Sequence, residues 1–277
     1  ATANDPERAV GIVNDSPRAL DAEHDNLRSA LSSGLAEDPA VALRLAVSLW
    51  RFWLARGDFS EASRWLAATL AAAPERTASR ARALLAASAI EVRRGDPAAR
   101  QIDLGVEAVA IMRAVGDDRT LAQTLHLTGL LAWVSDHGWQ RAVDLVQEAR
   151  TLTTAVGDAG AVASATHTLG VIAVSRGAGA QAEEHFEQVL GLLEGLTPDL
   201  PPFFFVVTPG HFWETGPGGL PRLPFTETVL LFRRAGTEQA TAYTLSNLSY
   251  AVSLAGDPAR GRRLLEDYLA RERIQPV

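Results

Sequence analysis

A local spacing that recurs three times along the chain constrains its fold more than any other feature of the sequence. In each copy a glycine is followed after ten residues by a polar residue, and after three more by a small one. The three copies are Gly116–His126–Gly129, Gly157–His167–Gly170 and Gly236–Ser246–Ser249. Internal self-similarity of this kind is typical of repeat architectures, in which one supersecondary unit is stacked many times.

A second set of glycines predicts the turns inside each unit. Successive members lie 38, 43, 39, 39 and 40 residues apart. Helices commonly end at a left-handed residue, a conformation that glycine adopts without steric cost. The set consists of Gly57, Gly95, Gly138, Gly177, Gly216 and Gly256. The period therefore predicts an all-α fold, an α/α right-handed superhelix of about six helical hairpins.

Small and aromatic residues inside the units resemble the tetratricopeptide pattern. The fourth unit carries it at Leu169, Gly170, Gly177, Ala182 and Phe186. The first unit matches at Leu49, Trp53, Gly57, Ala62 and Pro74, with Trp50 in place of a glycine. The resemblance implies an array over residues 39–271. Its helices should exceed the family's common length by about a turn, because the period is longer than 34 residues.

The amino-terminal stretch resembles the sequence that leads into the repeat region of one class of multidomain proteins. Its motif is Leu20-Asp21-Ala22-Glu23-His24-Asp25-Asn26-Leu27-Arg28, followed by Leu49-Trp50, Phe52-Trp53, Glu61 and Arg64-Trp65-Leu66. Similar residues lead into the repeats of bacterial STAND-type transcriptional regulators, which join an NB-ARC or AAA ATPase core to a LuxR-type or antibiotic-regulatory DNA-binding domain. The resemblance implies a linker over 1–17, a lead-in helix over 18–38 and a tail over 272–277.

Residues 197–225 interrupt the pattern in the fifth unit. Seven of the 14 prolines fall there, yet the stretch also contains Phe203-Phe204-Phe205 and His211-Phe212-Trp213. Proline disfavours a helix interior, so a shortened helix or a loop is expected. An exposed apolar run invites aggregation. The segment is therefore interpreted as an ordered loop packed on the array, as a partner epitope or as a disordered stretch.

Composition excludes several function classes. The net charge is −7, which disfavours direct binding of a nucleic-acid backbone. All 26 basic residues are arginine and there is no cysteine, so a Walker A lysine, a Schiff-base lysine and thiolate zinc sites are impossible in this chain. No run of 18 apolar residues and no signal peptide is visible, so a soluble, cytoplasmic domain with no membrane partner is expected.

No motif in the sequence calls for catalysis, a cofactor or a metal. His211 and Glu214 have helical ligand spacing, but prolines and glycines flank them and no second histidine follows. His185 lies among Glu183, Glu184 and Glu187, so a solvated helix face is predicted for it. A non-enzymatic chain is therefore expected. An enzyme on an α/α scaffold is the weakest alternative, since it needs a convergent cluster of titratable groups.

The tetratricopeptide resemblance implies that the first helix of each unit lines a concave binding groove. Carried over position by position, it assigns to the groove Arg44, Arg51, Arg82, Gln123, His126, Trp133, Ser164, His167, Tyr243 and Tyr250. Arginine and aromatic residues are common anchors of interfaces. A protein or peptide partner, or a small anionic effector, is therefore expected. The two histidines have a second interpretation, in which they fill space between helices.

Two functions are compatible with these features. The first is a sensor or interaction domain of a bacterial multidomain transcriptional regulator, which binds in the groove and biases the ATPase core between two states. The alternative is a free-standing scaffold that joins partner proteins without a regulatory role. The sequence leaves the oligomeric state open.

Overall fold

A computed structural model describes residues 23–94, 98–134, 138–196, 206–207, 230–231 and 237–272. The chain divides into two compact units, Ala1–His137 and Gly138–Val277. The predicted linker at 1–17, the last five residues and most of the interruption lie outside the described residues, as do His211 and Glu214. Among the described residues, no helix combines the length and the apolarity needed to cross a membrane.

The first unit contains six described helices that pack in sequence. They are α1 (His24–Glu37), α2 (Pro39–Arg56), α3 (Phe59–Ala72), α4 (Ala78–Arg94), α5 (Ala98–Val115) and α6 (Asp118–Val134). Each helix packs on the next, and α4 also contacts both α2 and α6. The first helices of successive hairpins therefore form one layer, and α3 and α5 pack outside it. Helix α1 packs on both members of the first hairpin.

The second unit repeats this arrangement. It contains α7 (Trp139–Val156), α8 (Ala159–Ser175), α9 (Gly179–Glu194), α10 (Thr237–Leu254) and α11 (Pro258–Glu272), with two short strands, β1 (Val206–Val207) and β2 (Leu230–Leu231). Helices α8 and α10 contact each other as the first helices of two hairpins. The predicted fold class is confirmed. It is the all-α class of the α/α superhelices, built from tetratricopeptide-like helical hairpins. The first helices are 17 or 18 residues long, as the long period predicts.

Four of the six predicted turn glycines lie among the described residues and have a positive φ, and Gly95 and Gly216 lie outside those residues. Gly57, Gly138, Gly177 and Gly256 all have φ between 74° and 108°. After the turn, Asp158 accepts a hydrogen bond from the Ala161 amide at 3.0 Å, which caps the amino-terminal end of α8. Asp58 differs, because its carboxylate accepts from Arg56 Nε at 2.6 Å and caps no amide of α3.

Close helix approach explains the small residues of the repeat. A methyl group added to Gly170 would lie 2.7 Å from Phe186 Cε1, and one added to Gly105 would lie 2.7 Å from Thr128 Cγ2. Ala182 and Phe186 are fully buried between the helices of the fourth unit. In the last hairpin Gly261 takes the small-residue position, and Ser249 Oγ donates to its carbonyl at 2.7 Å. Side chains larger than these would force the hairpins apart.

The interruption leaves the packing of neighbouring hairpins intact. Helix α9 packs directly on α10, although about forty residues separate them in sequence. Gly179 allows this contact, because an added methyl group would lie 2.5 Å from the Ala255 amide nitrogen. Val206 and Val207 of the interruption pair antiparallel with Leu231 and Leu230, which follow it in sequence, and β1 contacts α8.

Replacing Ala182 with arginine should destabilise the second unit. A long charged side chain cannot fit into this buried contact without separating α8 from α9, so a loss of about 3 kcal/mol or more is expected. Thermal unfolding followed by circular dichroism measures the loss. Ala180→Arg is the matched control, because Ala180 lies exposed on the same helix. Equal melting temperatures for the two variants would contradict the assigned packing of the repeat.

Candidate functional site

The residues predicted to line the groove differ widely in exposure. Arg44 and Arg82 are exposed, and Gln123, Trp133 and Tyr250 are half-buried. The side chains of Arg51 and Tyr243 lie outside the described part of the structure. His126, Ser164 and His167 are buried, with at most 5% of each exposed. The first-helix layer therefore offers solvent mainly the basic and aromatic members of the predicted set.

His167 holds α8 and α10 together. Its Nε2 lies 3.1 Å from Asn247 Nδ2, and its ring centre lies 5.4 Å from that of Phe186. Both His167 and Ser164 are 0% exposed. This geometry favours the packing interpretation for His167 over direct contact with a ligand.

His126 is a neutral side chain at physiological pH. Burial in α6 lowers the pKa of its imidazole to about 4, because the charged form would lose its hydration. Its exposed fraction is 5%. His126 therefore contributes no positive charge toward an anionic ligand, and the positive charge of this layer in the first unit belongs to arginines.

Arg44 and Arg82 occupy related positions on two first helices that contact each other, α2 and α4. Both guanidinium groups are exposed. Arg82 also lies near Asp117, whose pKa is lowered chiefly by the hydrogen bond from Thr120 and to a smaller extent by the charge of Arg82. Two exposed arginines on adjacent helices suit carboxylates, which accept paired N–H donors.

The amino-terminal motif forms an ion-pair network between α1 and the first hairpin. Arg28 donates through Nε and one terminal nitrogen to the two oxygens of Glu61, each at 2.7 Å. Trp65 Nε1 donates to the same carboxylate at 3.2 Å, and His24 Nε2 lies 3.2 Å from it. The ring of His24 meets Phe52 edge-on, with centres 5.8 Å apart. This network gives the residues that carry the STAND resemblance a structural role.

The same place holds the one described group of three side chains with the spacing of metal ligands. The ligand atoms of His24, Asp58 and Glu61 lie within 4.8 Å of one another. However, the Glu61 carboxylate is already bound by Arg28, and Asp58 by Arg56. A cation would be repelled by both guanidinium groups. The group is therefore better explained as an ion-pair cluster than as a metal centre.

Sequence reasoning missed a groove on the opposite layer of the second unit. It is an open groove of about 870 Å³, lined by α7 and α9 with α8 as its floor. His185 lies in it and is half-buried, so the predicted solvated face is wrong for this residue. Its neighbours in sequence are glutamates, and nothing in that local pattern indicates that Arg150 of another helix faces it. The one available signal was a glycine, Gly191, in the interior of α9.

Replacing Glu61 with glutamine should loosen α1 from the first hairpin. Hydrogen bonds from Arg28 lower the pKa of Glu61 to about 2, so its ionised form favours the folded state. A loss of roughly 1–2 kcal/mol, or a few degrees in melting temperature, is expected at pH 7. The stabilisation is fully present above pH 4.5 and is lost as the pH falls toward 2. Glu37→Gln on the exposed side of α1 is the control, and equal losses in both variants would contradict the network.

His126 should make the fold sensitive to mild acid. The unfolded imidazole takes up a proton near its ordinary pKa of 6.5, whereas the buried one resists until about 4. The free energy of unfolding should therefore fall by up to about 2 kcal/mol between pH 7 and pH 5. Urea titrations of wild type and His126→Asn isolate this effect, since the variant lacks the titrating group. Parallel pH profiles for the two proteins would show that His126 is not buried in neutral form.

Comparisons with known proteins support the fold. No protein-family model matches the chain, and no curated protein matches it. Among solved structures, BtubC (BKLC) from P. vanneervenii is similar at a TM-score of 0.65 and 15% identity, over 100% of this chain and 95% of that one. A kinesin light chain-like protein of Podosopora anserina with nearly identical TPR-like repeats is similar at a TM-score of 0.63 and 16% identity, over 87% and 100%. MamA protein is similar at a TM-score of 0.50 and 17% identity, over 83% and 92%. At these identities the likeness shows a fold of tetratricopeptide-like repeats.

Proposed function

We propose that the chain is a non-catalytic interaction domain that binds a protein segment or a small anionic effector on its first-helix layer. The observation that carries this proposal is the pair of exposed guanidinium groups, Arg44 and Arg82, on adjacent first helices of a tetratricopeptide-like fold. Arginine forks bind carboxylates with two parallel hydrogen bonds. Half-buried Trp133 on α6 adds an aromatic surface to the same layer.

The absence of catalysis is part of the proposal. The described cluster of His24, Asp58 and Glu61 is neutralised by arginines, and His126 is buried as a neutral imidazole. Neither group has the accessible, unpaired character that general acid–base chemistry requires. Binding is the activity that the exposed arginines support.

We further propose that the domain acts as the sensor of a bacterial STAND-type transcriptional regulator, in the cytoplasm. The support is the junction motif, whose residues Arg28, Glu61 and Trp65 fix α1 to the first hairpin. A helix fixed in this way is a rigid connection through which occupancy of the repeats could bias a preceding ATPase core. Such coupling requires only that the ligand bind the two states with different affinity. The competing proposal is a free-standing scaffold, for which the same network simply protects the end of the array.

A binding screen with two matched variants tests the interaction surface. Thermal shift and calorimetry with acidic peptides and anionic metabolites should give ligands that bind wild type. Arg44→Gln/Arg82→Gln should weaken such a ligand by roughly tenfold or more, since hydrogen bonds to charged groups contribute about 1.5–3 kcal/mol each. Arg76→Gln/Arg141→Gln removes the same charge from other exposed positions and should change affinity little. If both double variants lost the same affinity, the effect would come from net charge and not from Arg44 and Arg82 in particular.

The regulatory part is tested in the native full-length protein. A ligand of the first-helix layer should change the rate of ATP hydrolysis, and Glu61→Gln should reduce that change while leaving ligand affinity intact. A native chain with no nucleotide-binding domain before Ala1 would overturn the sensor proposal and favour the scaffold.

A further inference from the structure

The groove on the second-helix layer of the second unit has the geometry of a ligand site. We call it the outer groove. It has a volume of about 870 Å³, within the range of sites that hold drug-sized ligands. Its walls are one face each of α7 and α9, and its floor is α8. Its lining includes Gln147, Arg150, Val162, His185, Gln188 and Gly191.

Arg150 supplies a half-buried positive charge to this groove. Its guanidinium group has no ion-pair partner among the residues that the structure describes. Other arginines with reduced exposure are paired: Arg80 lies 3.2 Å from Glu107, and Arg260 lies 2.9 Å from Glu187. An anion in the groove would give this guanidinium group the partner that it lacks.

His185 lines the same groove and carries a buried, unsatisfied ring nitrogen. Its Nδ1 is inaccessible to water and lacks a hydrogen-bond partner in the described structure. Burial lowers the pKa of this imidazole, the charge of Arg150 lowers it further, and Glu184 acts in the opposite direction. Helix α8 presents only Val162 and Thr166 to the groove, so it adds no charge. The imidazole is therefore neutral at pH 7 and becomes easier to protonate when a negative charge lies beside it.

Gly191 keeps the groove open. A methyl group added there would meet no atom within 4 Å, whereas Gly170 and Gly179 lie in contacts that exclude a methyl group. Glycine destabilises a helix interior relative to alanine, and packing gives no reason for it at this position. Its place on the lining face of α9 is explained if the groove must admit a ligand that approaches the helix backbone closely.

We propose that the outer groove binds an extended acidic peptide, with a carboxylate of the peptide held by Arg150 beside His185. The proposal concerns the opposite helix layer and does not depend on the function proposed above. Gln147 and Gln188, on the two walls, carry amide groups that both donate and accept hydrogen bonds, as a peptide backbone requires. Val162 and Leu192 supply apolar contact for peptide side chains. Recognition thus combines charge complementarity at one point with backbone contacts along two helices.

Two peptide libraries provide the direct test. Nine-residue peptides with Asp or Glu fixed at the centre and random flanks are compared with peptides that have Asn or Gln there. Retention on the immobilised protein should favour the acidic library by at least fivefold. Arg150→Gln should abolish this preference, and Arg141→Gln should keep it, because Arg141 lies exposed on the same helix outside the groove. No preference in wild type, or the same preference in Arg150→Gln, would overturn the proposal.

Substitutions at Gly191 separate a blocked groove from a damaged fold. Gly191→Ala should raise the melting temperature, since it adds one methyl group in space that is open in the free protein, and should reduce retention of the acidic library, because the same methyl group hinders close approach of a ligand to α9. Gly191→Phe should keep the fold, as judged by circular dichroism, and reduce retention of the acidic library at least tenfold. Full retention in Gly191→Phe would place the peptide elsewhere.

The pH dependence of peptide retention, competition by acetate and the variant of the first-helix layer complete the test. Retention should increase as the pH falls below 7, because the bound carboxylate favours protonation of His185, and His185→Gln should flatten this profile. If 10 mM acetate competed as well as acidic peptides do, the site would be one that binds free carboxylates. This result would overturn the peptide proposal. Loss of retention in Arg44→Gln/Arg82→Gln, with retention intact in Arg150→Gln, would support the first-helix layer and overturn the outer groove.

Discussion

Close approach between helices is the constraint on which the whole structure depends. Each hairpin buries one side of both helices, and neighbouring hairpins bury part of what remains, so every helix in an inner position meets several others. Gly105 against Thr128 and Gly170 against Phe186 leave no room for an extra methyl group. At Gly179 the backbone of α10 itself lies within 3 Å of the added methyl position. Small residues at fixed places therefore determine where hairpins contact, and the remaining surface is free to differ between units.

This constraint explains which parts of the fold could be predicted from sequence. Turn glycines such as Gly57 and Gly177 act locally, through a left-handed backbone conformation, so their spacing indicated the hairpins and their boundaries. Exposure is not local in the same way. Helix α8 contacts α7, α9, α10 and β1, so it buries every residue from Ala163 to Ala173, including two that the repeat register assigned to the groove. The register gives the position of a residue in its unit, but not how many neighbours cover it.

The amino-terminal motif shows how one charged residue can organise a joint between elements. Glu61 accepts from Arg28 and Trp65 and lies beside His24, so a single carboxylate joins α1 to α3. The sequence marked these residues only through a family resemblance, since 33 residues separate Arg28 from Glu61. Residues this far apart are brought together by the packing of α1 on the first hairpin. A sequence pattern based on the helical period therefore cannot predict ion pairs between them.

The arginines of the two helix layers differ in hydration, and hydration affects the free energy that each can gain from a ligand. On the first layer, Arg44 and Arg82 are exposed, so water already stabilises them, and a ligand must replace that hydration. In the outer groove Arg150 is half-buried beside a neutral imidazole, so part of its hydration is lost before any ligand arrives. A charge that has already lost water gains more from a partner than a hydrated one does. Under the two proposals above, ligands of the outer groove should make fewer but stronger polar contacts, and ligands of the first layer should bind through broad, salt-sensitive attraction.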